Sequence, residues 1–126
     1  MKNNRLNKSY NNGEKIWILL VEPEKKDRRV KVDYSSDVLH GLVGGEHLDY
    51  NRFLDDENVL LVYNDFGKVL RLPPCRVITM YNGRIDYIAG TFVLMYSPIE
   101  DGDVFMRDFP EDLAQKYIKM FEKNYP

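Results

Sequence analysis

VLLVYNDFGKVLRLPPCRVITMYNGRIDYIAGT, residues 59–91, is the stretch on which the fold turns. Val59–Asn64 is an apolar, β-branched run of strand length that ends at a turn signal. Asp65-Phe66-Gly67 reads as a hairpin turn. Lys68–Leu72 reads as the returning strand, with Val69 and Arg71 on one side and Leu70 and Leu72 on the other. Pro73-Pro74 donates no backbone hydrogen bond, so that strand stops there or lies at an edge. Val77–Tyr81 is a further short strand, and Asn82-Gly83 is the strongest two-residue hairpin signal in the chain. Tyr87–Tyr96 is the longest apolar run. It is expected to be one central strand, with Gly90 leaving room for another group to approach.

Upstream, Lys15–Glu22 (KIWILLVE) is almost continuously apolar, as a strand covered on both faces should be. Pro23–Asp27 is a turn, and Arg29–Tyr34 alternates charged and apolar residues like a half-exposed partner strand. Trp17 is expected in the core or closing one end of it. Ser35-Ser36-Asp37 supplies helix-capping chemistry. Val38, Leu39, Leu42 and Val43 follow at helical spacing, and Gly44-Gly45 ends the helix. His47–Phe53 is a strand with Leu48, Tyr50 and Arg52 on one face. Downstream, Pro98–Asp108 is an acidic loop. Asp108 at the N-cap, Pro110 and Glu111 begin a last helix with Leu113, Tyr117, Met120 and Phe121 as its apolar stripe. The expected fold is α+β: a mainly antiparallel sheet of five to seven strands and two helices. Both helices lie on one face, the C-terminal one packed against the sheet.

At 126 residues, with 44% hydrophobic and 30% charged side chains, the chain predicts a single domain over residues 14–126. Residues 1–13 (MKNNRLNKSYNNG) read as a disordered basic arm. Residues 1–31 hold nine Lys or Arg against four Asp or Glu, and the remainder nine against sixteen. The lone Cys75 excludes an intrachain disulfide and fits a reducing cytoplasm. No apolar run reaches membrane-span length, and residues 1–13 lack the apolar core of a signal peptide.

No catalytic constellation can be assembled. His40 reads as a surface histidine, and no nucleophile or base pattern surrounds it or His47. Arg76 beside Cys75 would lower a thiol pKa, but no histidine is near. Asp55-Asp56-Glu57 lack the alternating ligands of a calcium loop. Neither a metal nor a cofactor is implied.

In combination, WILLVEP, the helix ending Val43-Gly44-Gly45, Asn64…Gly67-Lys68, Leu72-Pro73-Pro74…Arg76 and Ile88-Ala89-Gly90-Thr91-Phe92 resemble a family of small domains without assigned function. That family is common in phages, plasmids and other mobile elements of Gram-positive bacteria. The resemblance runs from about residue 15 to 121 and implies a mobile-element setting and an α+β fold, but no activity. Phe66 departs from a usually acidic turn. Cys75 stands where the family usually has Asn, whose amide can make four hydrogen bonds.

The basic residues Lys68, Arg71, Arg76 and Arg84 interleave with Tyr63, Phe66, Tyr81 and Tyr87, a pattern suited to phosphate pairing and base stacking. The expected ligand site is Lys68, Arg71 and Arg76, with Gly90 and Thr91 facing them and Tyr63, Phe66 and Tyr87 as stacking rings. The expected function is counteraction of host defence by sequestering a nucleotide signal. The alternatives are inhibition of a host defence or replication protein, for which the acidic residues Asp101, Asp103, Asp108, Glu111 and Asp112 are suited, and an accessory role on nucleic acid. DNA is the least supported partner because only the arm is strongly basic. A homodimer is a reasonable assembly.

Overall fold

The computed structural model describes residues 14–53, 56–80 and 82–126. The elements run β1 (Lys15–Val21), β2 (Arg28–Asp33), α1 (Ser36–Val43), β3 (Leu48–Arg52), β4 (Val59–Asn64), β5 (Pro74–Thr79), β6 (Ile85–Ala89), β7 (Phe92–Tyr96), β8 (Ile99–Glu100), β9 (Asp103–Val104) and α2 (Glu111–Phe121). Five strands form an antiparallel sheet in the order β2-β1-β7-β4-β3, and β5-β6 and β8-β9 are separate two-stranded sheets. The fold is α+β. The basic arm lies outside the described residues.

The period-2 alternation of β1, β7 and β4 builds two cores. Leu19, Leu94 and Leu61 stand in register and meet Tyr117 and Phe121 of α2. Leu20, Val93 and Val62 stand one residue along, on the other face, with Leu39 and Val43 of α1. The two helices therefore cover opposite faces, not one. Strands apolar on both sides leave two faces to be covered, and one helix cannot reach both. Trp17 sits half-buried at one end of the α2 face, its ring under Arg29 at 4.2 Å and Lys31 at 5.9 Å.

Local signals hold where local bonds decide. Ser35 Oγ caps α1 by accepting from the Val38 amide at 3.2 Å, and Gly44 ends it in the left-handed region. At α2 the expected cap fails. Pro110 takes the N-cap position without a side-chain bond, because Asp108 Oδ1 instead accepts the Trp17 amide at 3.0 Å. The buried stripe of α2 is Ala114, Tyr117, Ile118 and Phe121, with Leu113 and Met120 flanking it. The acidic 98–108 segment contains the small β8–β9 hairpin, turning through Asp101 and Gly102, both at positive φ.

Two expected strands are corrected. Lys68–Leu72 is not a strand. It is one helical turn closed by Leu70 N–H to Phe66 O, Arg71 N–H to Lys68 O and Leu72 N–H to Gly67 O, with Arg71 at φ 58. The last two bonds are those of a Schellman ending, with Arg71 in the place glycine usually takes. Tyr87–Tyr96 is not continuous either. At Gly90 the chain adopts φ 87 and gives its amide to Pro73 O at 2.7 Å, so β6 leaves the main sheet and pairs with β5 while β7 enters its centre. The space beside Gly90 is filled by Leu72, whose Cδ1 would lie 2.7 Å from an added Cβ.

Gly90→Ala therefore combines a left-handed backbone with a clash and is expected to lower the unfolding free energy by about 2 kcal/mol or more. Gly41, inside α1, has nothing within 4 Å of an added Cβ. Gly41→Ala should raise stability by about 0.5–1 kcal/mol through helix propensity. Urea unfolding of both variants measures the contrast. A Gly90→Ala protein as stable as wild type would mean the β6–β7 break is not enforced at this residue.

Candidate functional site

A cleft of about 250 Å³ opens between the end of β4, the turn that follows it, and the β5–β6 hairpin. Asn64 organises one wall. Its buried amide donates to Gly44 O at 3.2 Å and accepts the Phe66 N–H at 2.9 Å, setting the turn's direction against the end of α1. Gly67 sets the turn's distance from β6, since an added Cβ would lie 2.4 Å from Ala89 O.

Tyr63, Asp65, Lys68, Arg84, Asp86 and Tyr87 supply the polar lining. Lys68 Nζ reaches Asp86 Oδ1 at 2.6 Å and lies 4.3 Å from the centre of the Tyr87 ring. Arg84 reaches the other Asp86 oxygen at 4.0 Å. The hydrogen bond from Lys68, followed by the Tyr87 amide, holds the Asp86 carboxyl below its usual range. Tyr63 is pushed up to about 12, first by burial and then by donating to Asp49 Oδ2 at 2.8 Å. It stays protonated at neutral pH and cannot act as a base. Two cations and two carboxylates leave the lining close to neutral. The lining thus sets cations, carboxylates and an aromatic ring face side by side.

The residues singled out in the sequence do not share one site. Tyr63, Lys68 and Tyr87 line the cleft. Gly90 and Thr91 line a separate, more apolar groove with Leu72, Pro73, Leu42 and Val43. Phe66 is exposed at the crest of the turn, edge-on to His47 at 4.6 Å. Arg71 is exposed beyond it, and Tyr81 lies outside the described residues. Asp65 and Asp86 belong to the cleft but were not singled out, because a search for phosphate-binding cations passes over carboxylates. His40 is not a simple surface histidine: its ring nitrogens face Ser36 O at 2.7 Å and Glu46 O at 3.1 Å, which places it as a clasp on the loop after α1.

Arg76 has no exposed surface. Its guanidinium donates to the carbonyls of Cys75 at 2.8 Å, Glu22 at 3.3 Å and Lys25, and to Tyr125 Oη at 3.0 Å, with the Tyr125 ring 3.9 Å away. It joins the β1–β2 turn, β5 and the chain's end, and offers nothing to an external ligand. Burial also outweighs its effect on Cys75. The thiol is pushed up to about 12 by desolvation, despite the neighbouring positive charge, so Cys75 is a packed and unreactive group.

Asp27 shares this buried region. Among the described residues its Oδ2 and Arg76 Nε have no hydrogen-bond partner, and burial raises the Asp27 carboxyl to about 6 despite Arg76. An acid whose pKa is higher folded than unfolded favours folding in its neutral form. That contribution is complete below pH 3.8 and is lost as pH rises through 6. Wild type is therefore expected to gain about 1.4 kcal/mol from this group on going from pH 7.5 to pH 5, one pH unit below the folded value. Asp27→Asn should flatten that slope in urea midpoints measured at the two pH values. Identical slopes in variant and wild type would refute the assignment.

The sequence profile of a family described as a domain of unknown function (DUF3846) matches residues 16–122. The match covers most of the 126 residues, and the chain belongs to that family. No curated protein and no solved structure matches it.

Proposed function

We propose that this member of the family is a binding protein of a phage or other mobile element that counteracts host defence by sequestering a nucleotide signal in the cleft. The observation that carries the proposal is the stack of Lys68 over Tyr87, 4.3 Å from the ring centre, with Arg84 on the same lining. A phosphate drawing Lys68 away would uncover a ring face on which a base can stack. The volume limits what enters. At about 250 Å³ the cleft is below the usual range of roughly 300–1,000 Å³ for ligand pockets, so it suits one nucleotide unit of a larger signal. The mobile-element setting rests on the sequence resemblance. Among the described residues no helix is long and apolar enough to cross a membrane.

Calorimetric titration with mononucleotides and with cyclic di- and trinucleotides tests this. Binding is expected for at least one of them. Lys68→Ala and Tyr87→Ala should each weaken it about tenfold or more, since stacking contributes about 1–3 kcal/mol per base. Both residues are surface-accessible, so melting temperatures should stay near wild type. The absence of heat with every nucleotide would end the proposal.

Inhibition of a host protein is the second reading, supported by the exposed Asp108, Glu111 and Asp112 at the start of α2 and by Asp101 in the β8–β9 turn. It predicts that reversing Glu111 and Asp112 to Lys abolishes protection in infected cells while leaving nucleotide titrations unchanged.

A further inference from the structure

The turn beside the cleft carries apolar side chains that the described residues leave exposed. Phe66, Val69 and Leu70 are 43%, 79% and 58% exposed. They stand at i, i+3 and i+4 of one helical turn, so they share a face, while Gly67 points inward onto β6. Lys68 leads from this turn onto Tyr87, and Ile85 stands two residues before Tyr87 on the same strand. Ile85 is 71% exposed and Tyr87 38%. Together these side chains offer on the order of 500 Å² of apolar surface, the size at which a patch on a monomer is often functional.

The charges around the patch select its occupant. Asp65 opens the turn and Arg71 closes it, both exposed and neither in an ion pair with any described residue. A surface with an acid at one end, a base at the other and apolar groups between them is complementary to itself turned end for end. Two-fold symmetry makes that rotation, so each acid meets the other copy's base twice over. Lys68 lies near the middle, where two like charges would meet across the axis, but it is already neutralised by Asp86 at 2.6 Å.

We propose that residues 65–71 form the two-fold interface of a homodimer, with Phe66, Val69 and Leu70 packed against their symmetry mates and Asp65 paired with the partner subunit's Arg71. Asp65 also lines the cleft, so the partner subunit's Arg71 brings a cation to a lining whose own charges cancel. This last consequence rests on the cleft being the ligand site, but the dimer itself does not. The three apolar side chains of the turn supply only part of the roughly 800 Å² each partner contributes to a standard interface. A reversible, concentration-dependent dimer is therefore expected.

Sedimentation velocity on the full chain without ligand, from roughly 1 to 500 µM, tests it independently of nucleotide binding. Wild type should pass from monomer to dimer over this range. Leu70→Glu should stay monomeric. Asp65→Arg and Arg71→Asp should each weaken association about tenfold or more, by setting like charges against each other. Asp remains compatible with the left-handed backbone at position 71. The double variant Asp65→Arg/Arg71→Asp, and an equal mixture of the two single variants, should associate again. Far-ultraviolet circular dichroism confirms that each variant is folded. A wild type that is monomeric throughout, a dimer indifferent to the single charge reversals, or a double variant that fails to recover would each overturn the proposal.

Discussion

The structure depends on the burial of β7 on both of its faces. Val93 and Leu94 are adjacent in sequence and both inaccessible to solvent, one in each core. A strand in that position needs neighbours on both sides and cover above and below, and this requirement accounts for much of the rest. β1 and β4 supply the neighbours. α1 covers one face, and α2 with the β5–β6 hairpin covers the other. The preceding segment, Ile85–Ala89, pairs with β5 and does not continue β7 into the sheet. The chain breaks at Gly90, and the expelled β6 becomes a wall of the cleft. The candidate site is thus a by-product of how the central strand is isolated.

Arg76 is the complementary constraint. A guanidinium buried without a strong partner is costly, and the surrounding structure answers with backbone carbonyls instead of a carboxylate salt bridge. Asp27 is close enough to feel the charge but is itself buried, and its raised pKa marks an electrostatic compromise. The gain is mechanical. One side chain fastens the β1–β2 turn, β5 and Tyr125, with Val77 N–H adding a bond of 2.7 Å to Asn124 O. Hairpin and C-terminal segment are therefore held together at the side of the hairpin away from the cleft's polar lining.

What could be read in the sequence follows the range of the deciding interaction. The strands at Lys15–Val21 and Val59–Asn64, the cap at Ser35 and the Asn82-Gly83 turn rest on periodicity or on bonds within a few residues, and those readings match the structure. The break at Gly90 depends on Pro73 O and Leu72, the loss of the Asp108 cap depends on Trp17, and the burial of Arg76 depends on Glu22, Lys25 and Tyr125. None of these leaves a local mark. Arg71 shows the same limit. An arginine in the left-handed region is uncommon, so a Lys-Val-Leu-Arg-Leu segment reads as strand although it closes a helical turn. Of the residues expected at one site, the structure brings three to one cleft and scatters the rest. Tyr63, Lys68 and Tyr87 share the cleft because the β5–β6 hairpin folds back beside the turn after β4, whereas the sequence cannot tell an arginine aimed at solvent from one sealed inside.

The cleft's charge balance bears on how it would select a ligand. Lys68 is shared between Asp86 and the Tyr87 face, and exposed pairs of this kind contribute about 0–1 kcal/mol. Opening the pair is therefore cheap, and the ionised Asp86 would keep Arg84, at 4.0 Å, as a partner. An anion alone gains little, because it only exchanges one weak ion pair for another. A flat ring alone must displace the ammonium from Tyr87 without offering it a new partner. A ligand carrying both groups takes Lys68 with its anion and the vacated ring face with its base, so each displacement makes room for the other. That coupling, more than net positive charge, favours a nucleotide over simple phosphate or a free base in the proposed role.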